Sequence, residues 1–152
     1  FKSLDRIKKD VRVWWSQTPQ SQQLLRDGEI ELIGMWHTSA QQLIDQKVPI
    51  ALSYGKAAID VAAWVVARGT PRTRNAWLFI EFAVQPERLA QFAQRNNYGP
   101  MNPASFKSLP PEVVARMPTS PENLAKAVVL NAEKLGPQFD VMAKRFEQWL
   151  SS

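Results

Sequence analysis

Cysteine is absent from the chain, which excludes disulfides and thiolate chemistry and leaves the redox compartment undecided. Histidine occurs once, at position 37. A lone imidazole without visible partners gives no support for zinc, so neither a metal nor a cofactor is expected. No apolar run approaches the roughly 20 residues that cross a bilayer, and stable membrane insertion is not expected. The opening stretch FKSLDRIKKD lacks the apolar core of a signal peptide. No phosphate-cradling glycine motif and no ordered nucleophile-base-acid group is visible, so an enzyme is not the reading the residues favour. Internal repeats and low-complexity tracts are also missing.

What is present is the composition of one globular domain: 152 residues, 45% of them hydrophobic and 22% charged. Lysine and arginine number 19 against 14 acids, a formal charge of +5. The basic residues gather at Lys2, Arg6, Lys8, Lys9 and Arg12, and again at Arg68, Arg72 and Arg74. Nucleic-acid binding needs such charge to converge on a groove with aromatics presented to bases. Here the aromatics belong to apolar helix or strand patterns, so the charge reads as solvated surface and no nucleic-acid partner is expected.

Periodicity then divides the chain. Leu4, Ile7 and Val11 predict a first helix, followed by an apolar Val13, Trp14, Trp15 segment. Ser16 or Thr18 followed by Pro19 predicts the start of a second, which Gly28 ends by a left-handed exit. Strands are expected at 30–36, at 48–52 with Pro49 favouring its edge, and at 62–66. Between the first two lies a short helix over 39–46. Thr73 opens a helix over 74–84 whose Trp77, Phe79, Ile80 and Phe82 require heavy cover from other structure. Pro86 starts the next helix. The stretch from Gly99 to Pro121 is dominated by proline loop signals. Ser120 and Pro121 start a helix near 121–135, and Phe139, Met142, Ala143 and Phe146 space out an amphipathic last helix. Strand-helix alternation followed by helices favours an α/β or mixed α+β architecture.

Four segments carry a family resemblance in order: WWSQTPQSQQLLRDGEIELIGMW at 14–36, VPIALSYGKAAIDVAAWVVARGTP at 48–71, NAWLFIEFAVQPERLAQFAQRNNYGPMNPAS at 75–105, and LPPEVVARMPTSPENL at 109–124. The chain resembles the C-terminal portion of family 1 extracellular solute-binding proteins, especially the spermidine/putrescine-binding type. The resemblance implies a partial periplasmic-binding-protein type II fold, a mixed sheet with flanking helices. It implies a lobe begun by residues 1–60, a crossing segment over 61–99 contributing to the N-terminal lobe, and a return over 100–152. It further implies capture of a small charged or polar solute, a polyamine-like cation among them, in the periplasm or another extracytoplasmic space, and delivery to an ABC permease. In the family a long N-terminal segment precedes the residues matched here. A structural fragment that assembles with that segment as a separate chain is therefore an alternative, and a hydrolase is a further one.

In the polyamine-binding type, aromatic walls hold a methylene chain and carboxylates receive its ammonium ends. By resemblance Asp60 falls in the region of the hinge carboxylate; the structural alternative is a boundary cap. Tyr54 offers an aromatic wall or a hydroxyl, and Gly55 a close backbone approach. Lys56 stands where a polyamine site would not want a cation, which keeps an anionic ligand open. Trp36 and His37 end the expected strand at 30–36; Trp36 either stacks on ligand or closes the core, and His37 either donates to an anionic group or ties a loop. Tyr98 and Asn102 come from the NNYGPMNP loop, with a turn and a helix cap as their structural alternatives. Trp64 is expected in the core, and of the neighbours Trp14 and Trp15 only one is expected to face inward.

Overall fold

The computed structural model of the chain describes residues 1–152. In chain order it contains α1 (Lys2–Asp5), a 3-10 turn (Lys8–Asp10), α2 (Thr18–Arg26), α3 (His37–Asp45), β1 (Ala58–Ile59), α4 (Thr73–Ala83) and α5 (Pro86–Asn96). A second 3-10 turn (Pro103–Ser108), α6 (Pro111–Ala115), α7 (Pro121–Lys126), β2 (Val128–Val129), α8 (Ala132–Leu135), a third 3-10 turn (Gly136–Gln138) and α9 (Phe139–Ser151) complete it. The only sheet is β1 beside β2, parallel, with Ala58 opposite Val128 and Ile59 opposite Val129. The architecture is α/β but largely helical, with one two-stranded sheet.

Helix ends follow local chemistry. α2 and α3 close in the same way. Glu29 N–H donates to Leu24 carbonyl and Gly28 N–H to Leu25 carbonyl; Val48 N–H donates to Leu43 carbonyl and Lys47 N–H to Ile44 carbonyl. This double bond pattern needs one residue in the left-handed region. Gly28 supplies it freely at φ 65°, whereas Lys47 adopts φ 66° with a side chain attached. Ser120 caps α7 by accepting from Asn123 N–H at 3.4 Å. Gln22 Nε2 donates to Gln42 Oε1 at 3.1 Å, joining α2 to α3.

The core lies around α5 and the turn that follows it. Ala90 and Ala93 of α5 meet Leu109, Val113 and Met117, with Phe106 and Val114 against them. The alanines let the second 3-10 turn approach α5 closely. Ser105, within that turn, is fully buried and its hydroxyl has no hydrogen-bond partner.

Several expectations are corrected. The first helix expected from Leu4, Ile7 and Val11 is only two single turns, after which the chain extends at Val11 and Trp14 packs on α9. Its ring packs edge-on against Trp149 at 5.4 Å and Phe146 at 5.8 Å. Trp15 turns the other way, its Nε1 donating to Gly34 carbonyl at 2.9 Å. Residues 30–36, 48–52 and 62–66 form no strand, and bends fall at Glu31 and Pro49; an apolar pattern makes a strand only when a neighbour accepts its ladder. The helix expected over 121–135 breaks after Lys126, where Lys56 N–H takes Lys126 carbonyl and Val128 N–H takes Ala57 carbonyl. Cover for α4 is missing: Trp77, Leu78, Phe79 and Phe82 are all exposed. Trp64, expected in the core, is 59% exposed with its ring edge-on to Phe79 at 5.3 Å.

Candidate ligand-binding site

Two of the residues singled out by sequence, His37 and Tyr98, meet where α3 begins and α5 ends. Asn97 follows α5 in the left-handed region, φ 56°, a conformation asparagine tolerates better than most residues. Its carbonyl lies 2.5 Å from His37 Nε2, at the first residue of α3. The Tyr98 ring stands edge-on to His37 at 6.2 Å and tilts over Phe92 at 5.7 Å. Trp36, immediately before His37, is 61% exposed and makes no side-chain cap to α3. The result is an open aromatic surface held by one short polar contact.

That contact fixes the chemistry of His37. A carbonyl only accepts, so Nε2 carries the hydrogen and Nδ1 is left as an acceptor. Burial lowers the His37 pKa from 6.5, and the bond to Asn97 opposes part of that shift. The neutral ring therefore offers a lone pair rather than a positive charge near neutral pH. It suits an N–H donor better than an anion.

The loop beyond is pinned. A Cβ on Gly99 would overlap the Thr119 side chain, and Thr119 Oγ1 donates to Pro100 carbonyl at 2.9 Å. Asn102 caps the 3-10 turn, Oδ1 accepting from Ala104 N–H at 3.0 Å. Its side chain is committed to that cap in this conformation.

Tyr54 lies apart from this surface, in the segment between α3 and β1. It is buried, and its hydroxyl donates to Arg116 carbonyl at 2.6 Å. Burial pushes its pKa up to about 12. With Gln41, Ile44, Glu112 and Arg116 it lines an open cleft of about 330 Å³. Gln41 and Ile44 sit one and two turns along α3 from His37, roughly 6–10 Å down its axis. Arg116 also lies 3.7 Å from Asp45, both side chains being substantially exposed, so that pair adds little stability.

Asp60 directly follows β1. It is exposed, and Oδ1 accepts from Val61 N–H at 2.9 Å; no contact joins it to the aromatic surface. Lys56, four residues before, is exposed and adopts φ 62°. The left-handed position is thus Lys56, not the adjacent Gly55. No three His, Asp or Glu side chains converge on a metal position. Asn97, Arg116 and Thr119 were not identifiable beforehand, since two act through backbone carbonyls and the third through a loop 20 residues away.

A family model described as bacterial extracellular solute-binding protein matches residues 1–124. The gamma-aminobutyric acid-binding protein of Pseudomonas aeruginosa is 29% identical over 149 residues, 98% of this chain and 42% of its own length. An ABC transporter substrate-binding protein from Bradyrhizobium japonicum superposes with a TM-score of 0.87 at 26% identity, over 98% of this chain and 47% of that one. The Atu4243 GABA receptor superposes with a TM-score of 0.79 at 29% identity, over 98% of this chain and 46% of that one. The chain thus spans less than half the length of these relatives. Two of them are named for gamma-aminobutyric acid rather than for a polyamine.

Proposed function

Because the chain belongs to the bacterial extracellular solute-binding proteins, we propose that it binds a small solute outside the cytoplasmic membrane for delivery to an ABC permease. Membership of that family accounts for the chain without a chemical step, and the hydrolase alternative is not retained. The observation that carries the reading is the open aromatic surface of Trp36, His37 and Tyr98, built on a fold shared with a transporter substrate-binding protein. In this reading residues 1–60 and 100–152 belong to one lobe and residues 61–99 cross to the other.

The ligand class follows from shared chemistry. A polyamine and gamma-aminobutyric acid both end in a primary ammonium on a short methylene chain; they differ at the far end, ammonium in one and carboxylate in the other. Aromatic faces attract the cationic end and the His37 lone pair accepts one of its hydrogens; Asp60, which lies apart from that surface, is proposed to pair with the ammonium only once the lobes close. Lys56 and the +5 balance of the chain favour a carboxylate at the far end. An ω-amino acid therefore fits better than a diamine. Lobe closure over the ligand would stabilise a closed population that a permease distinguishes from the open one.

Isothermal titration with gamma-aminobutyric acid, putrescine and spermidine tests this. Heat of binding is expected with the amino acid, with weaker or no binding of the two polyamines. Tighter binding of putrescine would reverse the ligand assignment. Absence of binding to all three, together with native mass spectra showing no retained solute, would remove the proposal.

A further inference from the structure

Gly99 is a glycine for want of space, not for backbone freedom. The glycines with positive φ are Gly28 and Gly69, and Gly99 is not among them. A Cβ at this position would overlap both Oγ1 and Cγ2 of Thr119 and press on Pro118 Cγ at 3.0 Å. Residues 99–100 therefore lie directly against residues 118–119, with Pro100 and Pro118 both buried. One hydrogen bond joins the two segments, from Thr119 Oγ1 to the Pro100 carbonyl at 2.9 Å.

The segment on the far side of that contact is itself held. An asparagine amide has two N–H donors, and Asn123 of α7 spends its Nδ2 on the carbonyls of Ala115 at 2.8 Å and Met117 at 2.9 Å. The carbonyl between them, of Arg116, takes the Tyr54 hydroxyl. Three successive carbonyls are thus fixed by side chains from outside the segment. Asn123 is buried, and Met117 belongs to the core against α5. Thr119 extends from a rigid base.

The segment on the near side has little of its own. The Tyr98 ring is 52% exposed and touches only the edge of His37 and the face of Phe92 among aromatic rings; its hydroxyl makes no bond within the chain. A ring on two rotatable bonds is located mainly by its Cα. The Asn97 carbonyl that holds His37 Nε2 lies two residues before Gly99, so the clamp at 99–100 governs that acceptor as well.

We propose that Thr119, supported by Asn123, is a positioning residue for the candidate binding surface: it sets Tyr98 and the Asn97 carbonyl against His37 without touching solute. A core tie alone would need neither the absent side chain at Gly99 nor a donor aimed at the chain directly after Tyr98. The role in solute capture rests on the function proposed above; the mechanical link does not depend on it.

The test uses Thr119→Val, which removes the donor and keeps the volume, and Thr119→Ser, which keeps the donor. His37 is the only histidine, so its imidazole C–H proton resonance reports this one position in the absence of solute. Burial lowers the His37 pKa; a loosened loop exposes the ring, and the midpoint in Thr119→Val should move up toward 6.5. Thr119→Ser should restore it, and Gly99→Ala should shift it as Thr119→Val does. An unchanged midpoint in Thr119→Val overturns the proposal, whatever happens to the unfolding midpoint in urea. Titration with gamma-aminobutyric acid, putrescine and spermidine forms the second arm. Affinity for the solute that binds should fall about 3–10-fold in Thr119→Val, and not fall further when Tyr98→Ala is already present. An equal loss in the Tyr98→Ala background also overturns the proposal. A shifted midpoint in a chain that binds none of the three removes the solute reading and leaves the positioning link standing.

Discussion

The hydroxyl of Tyr54 donates to the carbonyl of Arg116 at 2.6 Å, joining the segment before β1 to the end of α6 across 62 positions. A buried hydroxyl committed to one backbone acceptor stabilises first and recognises second. Tyr54→Phe is expected to cost about 1 kcal/mol in urea unfolding, from the lost bond and the stranded carbonyl. The Tyr54 pKa raised to about 12 has a definite sign: the folded state holds the proton longer than the unfolded one, so its contribution is complete below pH 10 and lost as pH rises through about 12. The variant should lack that alkaline component.

His37 acts in the opposite direction. Its pKa is lowered in the fold, first by burial, so the unfolded chain binds more protons in the window beneath 6.5. Its contribution is complete above that value and lost as pH falls through the lowered folded one. His37→Gln, which keeps a donor for the Asn97 carbonyl, should flatten this part of the profile. Thermal melts at half-unit pH steps between 5 and 8 read the difference; parallel profiles would count against it.

Lys47 occupies a position that Gly28 fills without strain at the end of the preceding helix. A left-handed L-residue costs about 1–2 kcal/mol, offset in part by the greater freedom of glycine in the unfolded chain. Lys47→Gly is therefore expected to stabilise by about 0.5–1 kcal/mol, and Gly28→Ala to destabilise by a similar amount. Melting temperatures should move by roughly 1–4 °C in opposite directions.

Ser105 buries a hydroxyl with nothing to bond. Replacing it by alanine removes a desolvated polar group from the turn that packs on α5 without enlarging the side chain. A gain of about 1 kcal/mol is expected in chemical denaturation. A loss would mean that the hydroxyl has a partner after all.

Asp60→Asn tests the charge pairing directly. Loss of a charge-assisted bond should lower affinity for an ammonium-bearing solute about 10–100-fold. Because the carboxylate is exposed and accepts only from its own neighbour Val61, stability should scarcely change. Unchanged affinity for a bound solute would reject the pairing.

The helices were legible where local signals agreed. Pro19, Pro86 and the Ser120–Pro121 pair mark helix starts, and the three-four spacing from Phe139 to Phe146 marks the last helix. The strands were not, because 30–36, 48–52 and 62–66 carry the right apolar residues while pairing depends on neighbours that no local pattern encodes. In the candidate site, Trp36, His37 and Tyr98 stood out as side chains. The groups that organise them, the carbonyls of Asn97 and Arg116, belong to a backbone common to every residue and leave no signature of their own.

Pairing of β1 with β2 carries a kinetic consequence. Ala58 and Val128 are neighbours only after a loop of about 70 residues has closed, an ordering cost rewarded by just two residue pairs. The α2–α3 hairpin and the packing of α5 on the turn after it close over far shorter distances and should form early. The strand pair is then the last element to assemble and the first to open. Its amide protons should exchange with solvent while those of α5 are still protected.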